Sequence, residues 1–115
     1  MRLTVTGAGG DLGRAFLSRV PSHHEVHAFD HDDLDVGDLD AVRQRLEPLG
    51  ADAILNFAAY TRVDENETDQ ARAFRDNALG PQHLALAARA SGAVLLHVST
   101  DYVFDGRKRT PYDET

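Results

Sequence analysis

The sequence predicts an α/β fold, a doubly wound parallel sheet of about five strands in the order 3-2-1-4-5. Three observations predict it. Strand-sized apolar segments alternate with segments of helical spacing along the whole chain. The first of those strands runs directly into a glycine-rich turn that opens a helix. The last, residues 93–98, is apolar at nearly every position, as a strand covered on both faces reads.

Each element follows from local chemistry. Leu3-Thr4-Val5-Thr6 is short and β-branched and ends in glycine, which predicts a buried strand over 2–6. Gly7-Ala8-Gly9-Gly10 is a turn, and Leu12, Ala15, Phe16 and Leu17 give helical spacing from 11 to 20, where Pro21 stops it. Residues 25–29 form the second strand, with a very short third one possible at 34–36. Asp38 caps a helix running to about Pro48, with Leu39, Val42 and Leu46 on one face. Residues 52–59 are a strand followed by a small-residue turn. From about 67 to 91 the pattern is helical and alanine-rich, and Pro81 is expected to kink or split it just after Asn77. Gly92 ends that helix, 93–98 is the last strand, and loop follows to the end.

Composition narrows the function. The 115 residues are one domain's worth, and 42% hydrophobic with 27% charged residues is a globular balance rather than a disordered one. No apolar run approaches the ~20 residues of a membrane span, and the opening segment is too short in its apolar part for a signal peptide, so a cytoplasmic placement is expected. The absence of cysteine removes disulfides, zinc knuckles and thiol nucleophiles. A net charge of −7 argues against nucleic acid as a partner. An anionic small molecule remains open, because backbone amides at a helix start hold phosphate without net positive charge.

The candidate site residues sit at the ends of strands. In Gly7-Ala8-Gly9-Gly10-Asp11-Leu12-Gly13, Gly7 permits the tight turn, Gly10 lets backbone approach a pyrophosphate, and Gly13 lets helix and strand pack closely. Strand before and helix after favour dinucleotide binding over an ordinary glycine loop. Asp30 ends the second strand, 17 residues after Gly13, where an acid would hold ribose hydroxyls and lean the choice toward NAD over NADP. The alternative is a solvated acid in an acidic stretch, and His31 and Arg14 could soften the preference. Asn56-Phe57-Ala58-Ala59 puts small residues where a cofactor would cross the sheet, or where a helix packs closely. Ser99-Thr100-Asp101-Tyr102 ends the last strand, offering hydroxyls to a substrate carbonyl or forming a turn that satisfies its own backbone. His23, His24, His27 and His31 fit no zinc spacing, so no metal is expected, and His97 reads as a satisfied core residue.

Together these segments resemble the extended short-chain dehydrogenase/reductase superfamily, with its Rossmann-type sheet, and within it the dTDP-4-dehydrorhamnose reductase family. The resemblance rests on residues 5–14, on Asn56-Phe57-Ala58-Ala59-Tyr60-Thr61-Arg62-Val63-Asp64, on Asn77-Ala78-Leu79-Gly80-Pro81 and on Val98-Ser99-Thr100-Asp101-Tyr102-Val103-Phe104-Asp105-Gly106. It implies an oxidoreductase that uses NADPH or NADH to reduce a 4-keto nucleotide sugar for dTDP-rhamnose biosynthesis, in which a homodimer is admissible. Gly7, Gly10, Asp11, Leu12 and Gly13 would hold the pyrophosphate, Asp30 and His31 the ribose region, Asp35 and Val36 the adenine edge, and Ala58, Ala59 and Tyr60 the far half of the cofactor. Thr100 would be the catalytic hydroxyl, with Asp101, Tyr102 and Val103 facing the sugar. A non-catalytic dinucleotide-binding regulatory module and a nucleotide-sugar epimerase or dehydratase are the alternative readings.

One departure has a consequence. The family's catalytic Tyr-x-x-x-Lys is absent: Tyr60 is followed four residues later by Asp64 and Tyr102 by Gly106, and Tyr112 has no such position. The expectation is therefore that residues 1–115 form the front portion of the NAD(P)-binding domain, without general acid or sugar-binding part. A preparation shown by intact mass to hold only these residues should give no sustained NADH or NADPH oxidation with a 4-keto nucleotide sugar. Steady turnover by it would overturn the expectation.

Overall fold

The expected alternation folds into a parallel sheet. The computed structural model describes residues 1–113. Its strands are β1 (Arg2–Thr6), β2 (Glu25–Phe29), β3 (Ala53–Asn56) and β4 (Val94–His97), in the order β2-β1-β3-β4 and all parallel. This is the doubly wound order expected, less one strand. Thr6 lies opposite both Phe29 and Asn56, and Asn56 opposite His97, so the four carboxyl ends share one edge of the sheet.

The missing strand is residues 34–36, which form loop. The amides there bond locally: Leu34 N donates to the Asp30 carbonyl at 3.0 Å and Gly37 N to Asp35 Oδ1 at 2.9 Å. Leu34 and Val36 are instead buried as anchors of the loop in the core. Their apolar alternation marked burial, not pairing.

The first helix, α1 (Asp11–Leu17), is shorter than the expected 11–20, and the chain tightens into turns ahead of Pro21. Helix α2 (Leu39–Leu46) starts where expected, because Asp38 Oδ1 accepts the amides of Asp40 and Ala41 at 2.9 and 3.1 Å. It runs on into a 3₁₀ turn, Glu47–Leu49.

The long helical stretch departs most from expectation. It begins earlier, as α3 (Val63–Thr68), and breaks at Asp69, whose side chain caps α4 (Gln70–Phe74). A π-helical turn, Arg75–Leu79, then leads into α5 (Gly80–Ser91). The expected interruption at Pro81 takes this form for a simple reason. Proline supplies no N–H to the carbonyl of Asn77, and the backbone absorbs the lost bond by widening one turn. Gly92, at φ +72°, ends α5 in the left-handed conformation.

The core lies between the sheet and the pair α2 and α5, where Val42, Leu46, Ile54, Leu84 and Ala87 are almost wholly shielded from water. On the other face, Phe16 of α1 meets Phe57 edge to face, ring centres 5.7 Å apart. β4 is apolar on both faces, and its last residue corrects one expectation. Leu95 packs against the core, but Val94 and Leu96 stand 68% and 49% exposed, so among the described residues the strand is covered on one face only. His97 is exposed as well, not a core residue. The final loop runs to Asp113, and positions 114 and 115 lie outside the described residues.

Leu84→Ala should cost about 3 kcal/mol of folding free energy, because the cavity it leaves is walled by both helices and the sheet. Val94→Ala should cost under about 0.5 kcal/mol. Urea denaturation of both variants checks the contrast.

Candidate functional site

The site is built where β1 gives way to α1. Gly7 has φ +70°, and a Cβ there would lie 2.5 Å from the backbone of Phe57 and Ala58. A Cβ on Gly13 would lie 2.3 Å from the carbonyl oxygen of Gly7. Both positions therefore exclude every side chain. Gly10 differs: its nearest neighbour is the Gly7 carbonyl oxygen at 3.3 Å, and it faces open space otherwise. Ala8 N donates to the Phe29 carbonyl at 3.0 Å, which ties the turn to the end of β2.

The opposite wall depends on Asn56, which is fully buried. Its Oδ1 accepts the Thr6 hydroxyl at 2.7 Å and the Ala58 amide at 3.0 Å. Its Nδ2 meets His97 Nδ1 at 3.0 Å. With Oδ1 twice occupied, the amide group donates, so His97 Nδ1 accepts. The strand ends of β1, β3 and β4 are thereby joined, and the chain is turned into Ala58-Ala59-Tyr60. Asn77 of the π turn then holds Tyr60 on both sides, accepting its amide at 2.8 Å and donating to its carbonyl at 2.9 Å.

Between these walls lies an open cleft of about 820 Å³. Of the residues expected at a site, it brings together Gly7 and Gly10, Asp30 and His31, Asp35 and Val36, and the trio Ala58, Ala59 and Tyr60. Gly13 is absent because it is buried beneath the turn, where its role is to let the helix approach. Asp11 points outward and pairs with Arg14 at 2.6 Å, and Leu12 is 48% exposed. Thr100, Asp101, Tyr102 and Val103 lie at the end of β4, exposed and outside the cleft. There the self-satisfying turn is what forms: Thr100 Oγ1 accepts the Tyr102 amide at 3.2 Å and its hydroxyl reaches Asp101 Oδ1 at 3.3 Å.

Asp30 is held rather than loose. Its Oδ1 accepts the amides of Asp32 and Asp33 at 2.9 and 3.2 Å, while its Oδ2 lies 3.7 Å from where a Cβ on Gly9 would stand. Asp30, His31 and Asp32 can bring one ligand atom each within 4.8 Å of one another. The turn's own bonds, with His31 Nε2 3.1 Å from Asp32, already account for that grouping.

The cleft also gathers cations that sequence reasoning missed: Arg62, Arg72 and Arg75. Arg62 pairs with Glu65 at 2.7 Å, and Glu65 accepts the Tyr60 hydroxyl at 2.5 Å. That hydrogen bond raises the Tyr60 phenol above its ordinary value, and the bonds from Tyr60 and Arg62 hold the Glu65 carboxyl below its own. Arg72 lies over the Tyr60 ring, 4.3 Å from its centre. Arg75 is paired with Asp35 and, at 2.9 Å, with Asp76, and the hydrogen bond to Asp35 raises it further. Arg62–Glu65 has helical i,i+3 spacing and Arg75–Asp76 are neighbours, but Arg75–Asp35, 40 residues apart, and Arg72 over Tyr60 are revealed only by the fold.

The family model described as RmlD substrate binding domain matches residues 1–115. The dTDP-4-dehydrorhamnose reductase of Aggregatibacter actinomycetemcomitans is 43% identical over 116 residues, covering 99% of this chain and 40% of the relative. The crystal structure of a dTDP-4-dehydrorhamnose reductase from Clostridium acetobutylicum superposes with a TM-score of 0.95 at 38% identity, covering 99% of this chain and 41% of that one. Another from Bacillus anthracis, solved in complex with NADP, gives a TM-score of 0.89 at 35% identity over 93% of this chain and 39% of that one. The chain thus spans about two fifths of the length of the relatives it matches. Among the described residues, no helix is long and apolar enough to cross a membrane.

The two glycines of the turn should separate fold from binding. Gly7→Ala should cost about 3 kcal/mol, since it forces backbone against backbone. Gly10→Ala should cost under about 1 kcal/mol while its methyl blocks close approach to the cleft. Denaturation alongside titration with NADH checks both.

Proposed function

The chain belongs to the RmlD substrate binding domain family, and from that premise we propose that it forms the cofactor-binding part of a reductase of 4-keto nucleotide sugars. The reaction is reduction of dTDP-4-dehydro-L-rhamnose to dTDP-L-rhamnose with NADPH or NADH. The observation that carries this reading is the turn Gly7–Gly10, which meets the cleft through Gly7, Gly9 and Gly10 and faces Ala58-Ala59 across the carboxyl edge of a parallel sheet, in a chain 43% identical to a reductase of that name.

The site fits a dinucleotide. A Cβ on Gly7 would be filled by the backbone of Phe57 and Ala58, and Gly10 leaves its backbone bare to the cleft. In this reading Gly7, Gly10, Asp11, Leu12 and Gly13 make up the turn that holds the pyrophosphate. Asp30 offers its free oxygen to ribose hydroxyls beside His31, Asp35 and Val36 bound the adenine, and Ala58, Ala59 and Tyr60 line the other half. When bound, the cofactor supplies hydride to C4 of the sugar. Thr100 donates a hydrogen bond to the C4 carbonyl by turning its proton from Asp101 Oδ1, 3.3 Å away, while its oxygen goes on accepting the Tyr102 amide. Asp101, Tyr102 and Val103 face the sugar. The general acid lies outside residues 1–115, as does most of what selects the sugar.

In the full-length protein, Thr100→Val should lower kcat about 100-fold, the scale of one oxyanion donor, while leaving NADH affinity unchanged. Thr100→Ser should keep most activity. Steady-state kinetics with product identification by NMR decides. Formation of no dTDP-L-rhamnose by the wild-type protein would sink the reading.

A further inference from the structure

Two segments far apart in sequence meet at the rim of the cleft through one side chain. Arg75, the first residue of the π turn, pairs with Asp35 of the loop after β2 and with its own neighbour Asp76. The fit is close. A Cβ on Gly37 would lie 2.6 Å from Arg75 Cζ, so the guanidinium needs glycine there. Asp35 is held from both sides, because its Oδ1 receives the Gly37 amide at 2.9 Å while Oδ2 meets Arg75. Val36 is fixed by the same elements: its carbonyl lies 3.0 Å from His83 Nδ1, and its methyl occupies the space a Cβ on Gly80 would claim.

Stability does not explain such an arrangement. The side chains of Asp35 and Arg75 are 49% and 43% exposed, and ion pairs at that exposure contribute little to folding. Both, however, line the cleft. The π turn that carries Arg75 also carries Asn77, which holds Tyr60 on the facing wall. Five residues therefore tie down both walls, and such π turns recur at functional sites.

We propose that Arg75 is a positioning residue for the adenine half of the cofactor, acting through Asp35 to set residues 34–37 at the separation from Tyr60 that the ligand requires. The inference rests on the cofactor-binding reading above. It adds a residue outside the glycine turn and assigns Asp35 a partner inside the protein. Truncating Arg75 releases the Asp35 carboxylate, while Leu34 and Val36 keep the loop anchored and the glycine turn, the ribose acid and Thr100 stay untouched. The penalty falls on binding of the adenine half and not on the chemical step.

The test uses the full-length protein and ADP-ribose, which keeps the adenine half of the cofactor and lacks the nicotinamide. Arg75→Ala should raise the ADP-ribose Kd and the KM for NADH together by about tenfold, the weight of one charge-assisted contact. The value of kcat at saturating NADH should stay within about twofold, since the transition-state contacts are untouched. Arg75→Lys keeps the charge but cannot reach two carboxylates at once, and should fall between. A purely structural role predicts a different pattern: a lowered melting temperature and an apparent kcat that falls as folded enzyme is lost, with KM and the ADP-ribose Kd unchanged. Unchanged ADP-ribose affinity in folded Arg75→Ala or Arg75→Lys would overturn the proposal alone. Failure of the wild-type protein to bind either NADH or ADP-ribose would overturn the cofactor reading beneath it.

Discussion

Everything at the carboxyl edge of the sheet hangs on the buried carboxamide of Asn56. It joins the last residue of β1 to the last residue of β4 and bends the chain beyond β3 through the amide of Ala58. A hydrophobic residue of the same size would leave the Thr6 hydroxyl and the Ala58 amide buried and unpaired, a cost of roughly 1–3 kcal/mol for each. The glycine turn depends on it at one remove, since Gly7 rests directly on the backbone of Phe57 and Ala58. The cleft is thus a property of the sheet edge before it is a property of any loop.

The sign of the protein's charge and the sign of its expected ligand are the same, and the structure shows how that is tolerated. The chain carries −7 overall, yet Arg62, Arg72 and Arg75 all line the cleft. Arg62 and Arg75 are tied to neighbouring carboxylates, and Arg72 is 3.6 Å from Asp76. Such paired cations serve as scaffolding more than as anion receptors. In the proposed reading, phosphate is left to backbone amides of a turn whose side chains amount to the Ala8 methyl, which imposes no net charge.

Much of this was legible in the sequence, and where it was not the reasons are physical. The parallel sheet and its order follow from strands alternating with helices and from a glycine turn placed directly after the first strand. Residues 34–36 misled because burial in a loop and burial in a strand leave the same apolar alternation. Residues 63–68 show no strong apolar periodicity, so the start of α3 is fixed by its surroundings and not by its pattern. Pro81 announced an interruption but not its form, because a kink, a break and a π turn all relieve the same missing bond. The arginines of the cleft were invisible for another reason: the partners Asp35 and Arg75 are 40 residues apart, and nothing local links them. Likewise Thr100 showed its hydroxyl, but the turn that orients it is a matter of geometry.

The central place of β1 also governs when the site comes into being. β1 is the first strand made, but it is flanked by β2 on one side and by β3 on the other. The Thr6–Asn56 bond closes a loop of 50 residues, and closure on that scale is an entropic toll that comes due before any contact repays it. A chain leaving the ribosome carries its glycine turn from the start with nothing for Gly7 to lean against. Only when β3 emerges and docks does the second wall arrive, and Tyr60 waits longer still for Asn77 of the π turn to hold it. The cleft is therefore complete only once residues out to the π turn are in place, although the β1–β2 side of its glycine turn needs no residue beyond Phe29.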